Sequence, residues 1–371
     1  MGSRRWIISW VALSGMISFA AAPLIADTVV GNSRLWTEQS DELAPAADAS
    51  LAAAEEAEVS SPARPVTTVE TSSMFEEALA SHEQCRSSRN SCGCCDKRLL
   101  GIFRQSDHAF DGFISPQTSV LLFEDPRTLS ELRGHFVNQW IPTGNAAFPA
   151  GGNAQMPALQ ARGAITERLS LIATSDGYLW INGNGMPKRS GLVDVAAGLK
   201  YNLVRDPANQ FIWSVGSTFY IATNDYQVFQ GFGNQFHFFT TAGKKLNCLP
   251  FNAHWLMGAG YKVPTTSLLT QMMWFSNQWD AEVIDHIYAT FSCNWYHWLN
   301  SGTNLPLNFE GGDLFNLGST NVAGSDIVNL GVGGRWKPNR NREFGTAYEF
   351  PVSPQHGLLA ARIYVDAIFR F

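Results

Sequence analysis

The chain has 371 residues, 16% of them charged and 12% aromatic, with 32 glycines and a net charge of −6. Sparse charge with many aromatics and glycines suits a β-rich protein with many turns and argues against a helical bundle. The charge is also uneven. Asp27 to Ala80 carries eleven acidic residues against two arginines, whereas the part from Ser81 onward is near neutral at +1, so the acidity belongs to a tail.

Residues 1–26 read as a secretory signal. Arg4 and Arg5 form the charged start and Trp6 to Ala22 the apolar stretch, with cleavage expected near Ala26 because Pro23 disfavours it after Ala22. A single membrane anchor is the alternative, but Ser9, Ser14, Gly15 and Ser18 dilute the run. Residues 27–84, rich in Ala, Ser, Glu, Pro and Thr, cannot bury enough apolar surface to fold alone and read as a disordered acidic tail.

Residues 85–127 form a linker leading into the main domain. Its Cys85, Cys92, Cys94 and Cys95 are disulfide candidates, since pairing is the commoner fate of clustered thiols in an exported protein; metal ligation and free thiols are the other readings. Asp107, His108 and Asp111 invite a catalytic reading, but a capped, packed turn accounts for them more simply.

From Thr128 the pattern becomes regular. Twelve strands are predicted: Thr128–Ile141, Ala158–Ile165, Leu169–Ile181, Val193–Val204, Gln210–Ile221, Gly233–Thr241, Ala253–Val263, Thr270–Val283, His286–Leu299, Asp326–Lys337, Glu343–Pro351 and Leu358–Phe371. In the last, Leu359, Ala361, Ile363, Val365, Ala367, Phe369 and Phe371 form one apolar face, opposed by Arg362, Tyr364, Asp366 and Arg370. This period of two places the strand between two unlike surroundings.

A soluble β-sandwich alternates in the same way, but three features favour a membrane barrel. Each strand with its loop takes about twenty residues, against the 8–12 of a sandwich. The strands are near the length that crosses hydrocarbon at a tilt. Short connections (Thr166–Arg168, Arg205–Asn209, Ile284–Asp285, Pro338–Arg342) alternate with long ones (Pro142–Pro157, Asn182–Leu192, Ala222–Phe232, Asn300–Ser325). Ala242–Asn252 and Pro264–Leu269 fit that alternation less well. Nine of the twelve tryptophans lie in this region, many near strand ends where a barrel carries its interfacial girdles.

From Ser106 to Phe371 the chain resembles porin-like bacterial outer-membrane β-barrel proteins. The matching stretches are Ser106–Pro116, Phe123–Thr128, Ala196–Tyr201 and Glu310–Gly318, with an aromatic last residue. The resemblance implies an all-β, antiparallel up-and-down transmembrane barrel over residues 128–371, located in the outer membrane. It also implies that Phe369 and Phe371 carry the signal read by the barrel-assembly machinery.

On that reading the polar faces line the lumen with Arg133, His135, Arg162, Asp194, Lys200, Lys262, Glu282, Arg335, Lys337, Glu349, Arg362, Asp366 and Arg370. Such residues either brace a narrow barrel through ion pairs or line a watery path. Twelve strands lie between filled eight-stranded barrels and open porins, so the pore is expected to be narrow or obstructed by the segment before Thr128. The long loop Asn300–Ser325 either bends inward, with Glu310 and Asp313 constricting the mouth, or lies outward.

No Gly-x-Ser-x-Gly, His-Glu-x-x-His, phosphate-binding glycine loop or basic nucleic-acid patch occurs, so neither an enzyme nor a cofactor site is expected. The expected function is passive passage of small polar solutes, with membrane lipid and the assembly machinery as partners. A non-conducting structural, adhesion or envelope-anchoring barrel is the runner-up, and a secreted β-sandwich binding module the lesser alternative.

Overall fold

The computed structural model describes residues 98–223, 225–249 and 251–371. The signal, the acidic tail and the cluster Cys85, Cys92, Cys94 and Cys95 lie outside the described residues. Cys248 and Cys293 are free thiols.

The described chain is a closed antiparallel barrel. Its strands are β1 (Glu131–Ile141), β2 (Gly152–Ala164), β3 (Leu169–Ser175), β4 (Tyr178–Gly183), β5 (Arg189–Leu192), β6 (Val195–Asp206), β7 (Phe211–Ile221), β8 (Gln235–Lys245), β9 (Ala253–Pro264), β10 (Gln271–Ile284), β11 (Ile287–Asn300), β12 (Asp326–Asn339), β13 (Arg342–Pro351) and β14 (Ala361–Arg370). Each pairs with its neighbour around the ring, and β1 closes it by pairing with both β2 and β14, Gly134 facing Leu159 on one side and Ala367 on the other. Closure pairs the staves on both sides, as a sheet surrounded by hydrocarbon requires, except that short β5 pairs with β4 alone.

Fourteen strands make a twelve-strand wall because two staves are interrupted. The predicted strand Leu169–Ile181 is split into β3 and β4 at Asp176–Gly177. β2 pairs with β3 through Ala161–Ala164 and with β4 through Gly152–Gln155; between them lies Pro157, which has no N–H to give a ladder. There Gly177 packs on the Pro157 carbonyl and on Ala158, where a Cβ would come within 2.8 Å. β5, placed by sequence in a loop, continues the line of β6 and pairs with β4.

The alternation sorts the faces as predicted. On β14 Arg362, Tyr364, Asp366, Ile368 and Arg370 are buried, whereas Val365 and Phe369 are exposed. Leu159, Leu171, Leu199, Phe238, Phe291 and Val332 continue the outward apolar band around the ring. Seven of the nine tryptophans point outward. Trp140, Trp180 and Trp295 lie toward the rim where β1 ends, and Trp213, Trp255, Trp279 and Trp336 toward the rim where β1 starts. Trp274 and Trp298 depart from the girdle expectation, because their positions share the inward parity of β10 and β11; both are buried in the lumen. Among the described residues no helix is long and apolar enough to cross a membrane.

Candidate functional site

The lumen is occupied. Residues 106–130, which precede β1, run inside the barrel and are almost wholly buried from Phe113 onward. The segment begins on a capped turn: Asp107 accepts from the Ala109 N–H at 3.0 Å and pairs with Arg205 at 2.7 Å, and His108 pairs with Asp111 at 3.0 Å. Asp107 thus caps the turn and ties it to Arg205, while His108 and Asp111 hold each other within it.

Deeper in, the segment is tied to the wall on several sides. Gln117 N–H donates to Gln278 Oε1 (2.8 Å), and Thr290 Oγ1 donates to Gln117 Oε1. Thr118 Oγ1 donates to Ser292 Oγ (2.8 Å), Tyr220 Oη to the Leu121 carbonyl (3.0 Å) and Ser214 Oγ to the Pro126 carbonyl (2.6 Å). Phe110, Phe113, Leu122 and Phe123 pack with wall residues Ile172, Phe239, Leu256, Trp274 and Tyr296.

The charges gather around three carboxylate centres, Glu124, Glu343 and Glu349, the first two linked through Glu131. In the first, Glu124 accepts from Arg162 Nε and Nη2, each at 2.6 Å, and from Lys200 Nζ at 3.1 Å, while Arg162 also reaches Glu131 at 3.0 Å. In the second, Glu343 binds Arg335 (3.0 Å), Arg370 (2.5 Å) and Lys337 (3.5 Å) and accepts from the Ser115 N–H (3.2 Å). Arg370 also pairs with Glu131 (2.8 Å), and Asp366 joins Arg133 (2.6 Å) to Arg335 (2.8 Å). In the third, Arg362 holds Glu349 (2.8 Å) and Asp313 (2.6 Å), and Glu349 accepts from Asn294 and Tyr364, each at 2.8 Å. Within the segment, Arg127 closes on Asp125 at 2.7 Å.

The lumen candidates named from sequence thus face inward, with one correction. Glu282 has the right parity but sits beside the hairpin turn, half-exposed, where it accepts from the His286 N–H and Asn252 Nδ2, each at 3.0 Å. The others are buried, and most brace the barrel and its inner segment. His135 is buried with neither ring nitrogen hydrogen-bonded, and Asp194 accepts from the Thr223 N–H (3.1 Å) and Oγ1 (3.2 Å).

Sequence reasoning missed Glu124, Asp125, Glu131 and Glu343. Parity alone would have found two of them, since Glu131 shares the face of Arg133 and Glu343 that of Glu349. Glu124 and Asp125 lie on a segment with no periodicity, so no such signal existed.

The loop after β11 bends inward. Asp313 reaches the wall through Arg362, but Glu310 does not face the path: its carboxylate accepts from the N–H groups of Leu317 and Ser319, each at 2.8 Å, and shapes the loop. Burial raises the Glu310 carboxyl pKa above its ordinary 4.5, against the lowering by those N–H bonds. Leu314, Phe315 and Leu317 join Phe148, Val228 and Phe229 in an apolar cover over the mouth; Phe229 meets Phe148 and Phe315 edge-on, with ring centres 6.0 and 6.3 Å away. Below the cover a cavity of about 30 Å³ remains, room for one or two waters.

No protein-family model and no curated protein matches the sequence. Solved structures are similar at low identity. An outer membrane channel from Pseudomonas putida is similar at 11% identity and a TM-score of 0.46, covering 70% of this chain and all of that one. The NanC porin is similar at 8% identity and a TM-score of 0.39, covering 65% and 99%. LpxR from Salmonella typhimurium is similar at 9% identity and a TM-score of 0.38, covering 65% and 100%.

Proposed function

We propose that the chain is a porin-like outer-membrane channel for small polar solutes, with its path held shut in this structure by residues 106–130 and the loop after β11. One observation carries this reading. The wall presents hydrogen-bonding and charged side chains to a separate stretch of chain, and much of its attachment is by ion pairs and hydrogen bonds that water can replace. The outward apolar band with tryptophans toward both rims supports the membrane setting. Single-channel recording of the full folded chain in planar bilayers tests it. Brief, ohmic steps are expected, with closed periods dominating. A heat-modifiable, correctly folded barrel that never conducts would defeat the transport reading.

The filled lumen favours one second reading, a non-conducting barrel with a structural, adhesion or envelope-anchoring role, because the cavity beneath the mouth cover holds only a water or two.

Phe369 and Phe371 serve, on the same reading, as the assembly signal. Phe369 is outward against Phe344, and the Phe371 backbone donates to the Ser130 carbonyl (2.9 Å) and accepts from the Ser106 N–H (2.7 Å). Deleting Phe371 should lower the yield of assembled barrel several-fold more than Phe369→Leu does; equal yields in membrane fractions would count against that role.

A further inference from the structure

Among the described residues nine lysines and arginines are buried in the barrel interior, and eight have a carboxylate oxygen within ion-pair reach: Arg127, Arg133, Arg162, Lys200, Arg335, Lys337, Arg362 and Arg370. Lys262 is the exception. It is 7% exposed, and its ammonium makes no hydrogen bond or ion pair among the described residues; it lies 4.1 Å from the centre of the Tyr220 ring. It lines the 30 Å³ cavity beneath the mouth cover. Two carboxylates share that cavity, but both are engaged elsewhere, Asp313 with Arg362 at 2.6 Å and Asp194 with the Thr223 donors. Gln235 also lines it; its Oε1 takes the Asn316 amide at 3.1 Å, which leaves Nε2 as its remaining donor.

A buried ammonium without a counter-ion is costly, and a ring face offsets only part of that cost. Every other buried cation among the described residues has a carboxylate within ion-pair reach, whereas Asp194 and Asp313 act on Lys262 only from farther off, so the ammonium beside a small cavity points to a charge supplied from outside. We propose that Lys262 is the anion-binding group of a solute subsite, seating the carboxylate head of a small organic acid, with Tyr220 beneath the lysine and Gln235 beside it. With room for one or two waters the cavity limits the seat to the carboxylate group itself, and Asp194 favours a carboxylate that brings its own hydroxyl or amino donor over a bare anion. This rests on the channel reading and places one solute contact within it.

The test uses the full chain folded in detergent micelles, with acetate, lactate and chloride as probes. Binding is followed by tryptophan fluorescence, to which Trp298 at the same cavity contributes, and by the side-chain NMR signal of Lys262 in the unaltered protein. Acetate and lactate should bind saturably and shift that signal, lactate the more tightly. K262M should weaken lactate binding by about tenfold or more, and K262R should stay within about threefold of the original. The proposal is overturned if K262M binds lactate as the unaltered chain does, if the Lys262 signal does not move, if chloride competes as well as the carboxylates, or if no saturable binding occurs. The NMR arm decides the matter should K262M fail to assemble. Because binding requires no current, a chain that binds lactate and never conducts sinks the channel reading alone, and a conducting chain without binding sinks the subsite alone.

Discussion

Replacing Glu124 by alanine should loosen the inner segment and destabilise the folded barrel by about 3–5 kcal/mol, the usual cost of removing one partner from a buried ion pair. Among the described residues Glu124 is the only carboxylate within ion-pair reach of Lys200, and it accepts two of the Arg162 bonds. Without it Arg162 keeps Glu131 at 3.0 Å, but Lys200 keeps only the Asp125 carbonyl, at 2.5 Å. The segment carrying Glu124 has no ladder pairing with its neighbours in the lumen, so its hold depends on such side-chain contacts. E124A should therefore lower the urea midpoint of the heat-modifiable form, expose residues 106–130 to protease and raise the open fraction in bilayer recordings. The double variant E124Q with K200M should recover part of the loss, because the two residues act on each other. An unchanged midpoint together with unchanged current would show that the segment is held by packing alone.

A larger effect is expected from Glu343→Ala. This carboxylate contacts Arg335, Arg370 and Lys337 and accepts from the Ser115 N–H, so one truncation leaves three buried cations short of an acceptor. Arg335 and Arg370 retain Asp366 and Glu131, whereas Lys337 retains only the carbonyls of Asp111 and Phe113. The loss also falls near the seam, since Arg370 lies on β14 opposite Glu131 of β1. E343A should cost at least about 3–5 kcal/mol, enough to cut the yield of assembled barrel severely. Arg342→Ala, one position away and exposed, is the control and should shift stability by less than about 1 kcal/mol. Equal behaviour of the two variants would mean that the buried network contributes nothing to closure.

Glu343 and Glu124 also mark how far the sequence can be read. The strands were legible because a barrel stave lies between lipid and lumen, and alternation records both surroundings in one stretch of chain. That is why Arg362, Asp366 and Arg370 were placed inward, and why the sequence by itself determined the strand order, the outward apolar band and the alternation of short and long turns. β5 escaped because its Arg189–Leu192 is short and carries no clear alternation, and the break between β3 and β4 answers to Pro157 on the neighbouring strand.

What fills the barrel was decided only by tertiary structure. Ser115 meets Glu343 and Arg370 across 228 and 255 residues, and Glu124 meets Lys200 across 76; no local pattern encodes such partners. Loop direction was likewise open in the sequence, since the loop after β11 turns inward through the contact of Asp313 with Arg362, two residues from different parts of the chain. The same holds for Lys262, an inward lysine like Lys200 by its parity, which only the folded chain shows to stand without a carboxylate partner. A period of two tells a residue which side it faces. Whether that side holds water, another segment or a counter-ion depends on the rest of the molecule.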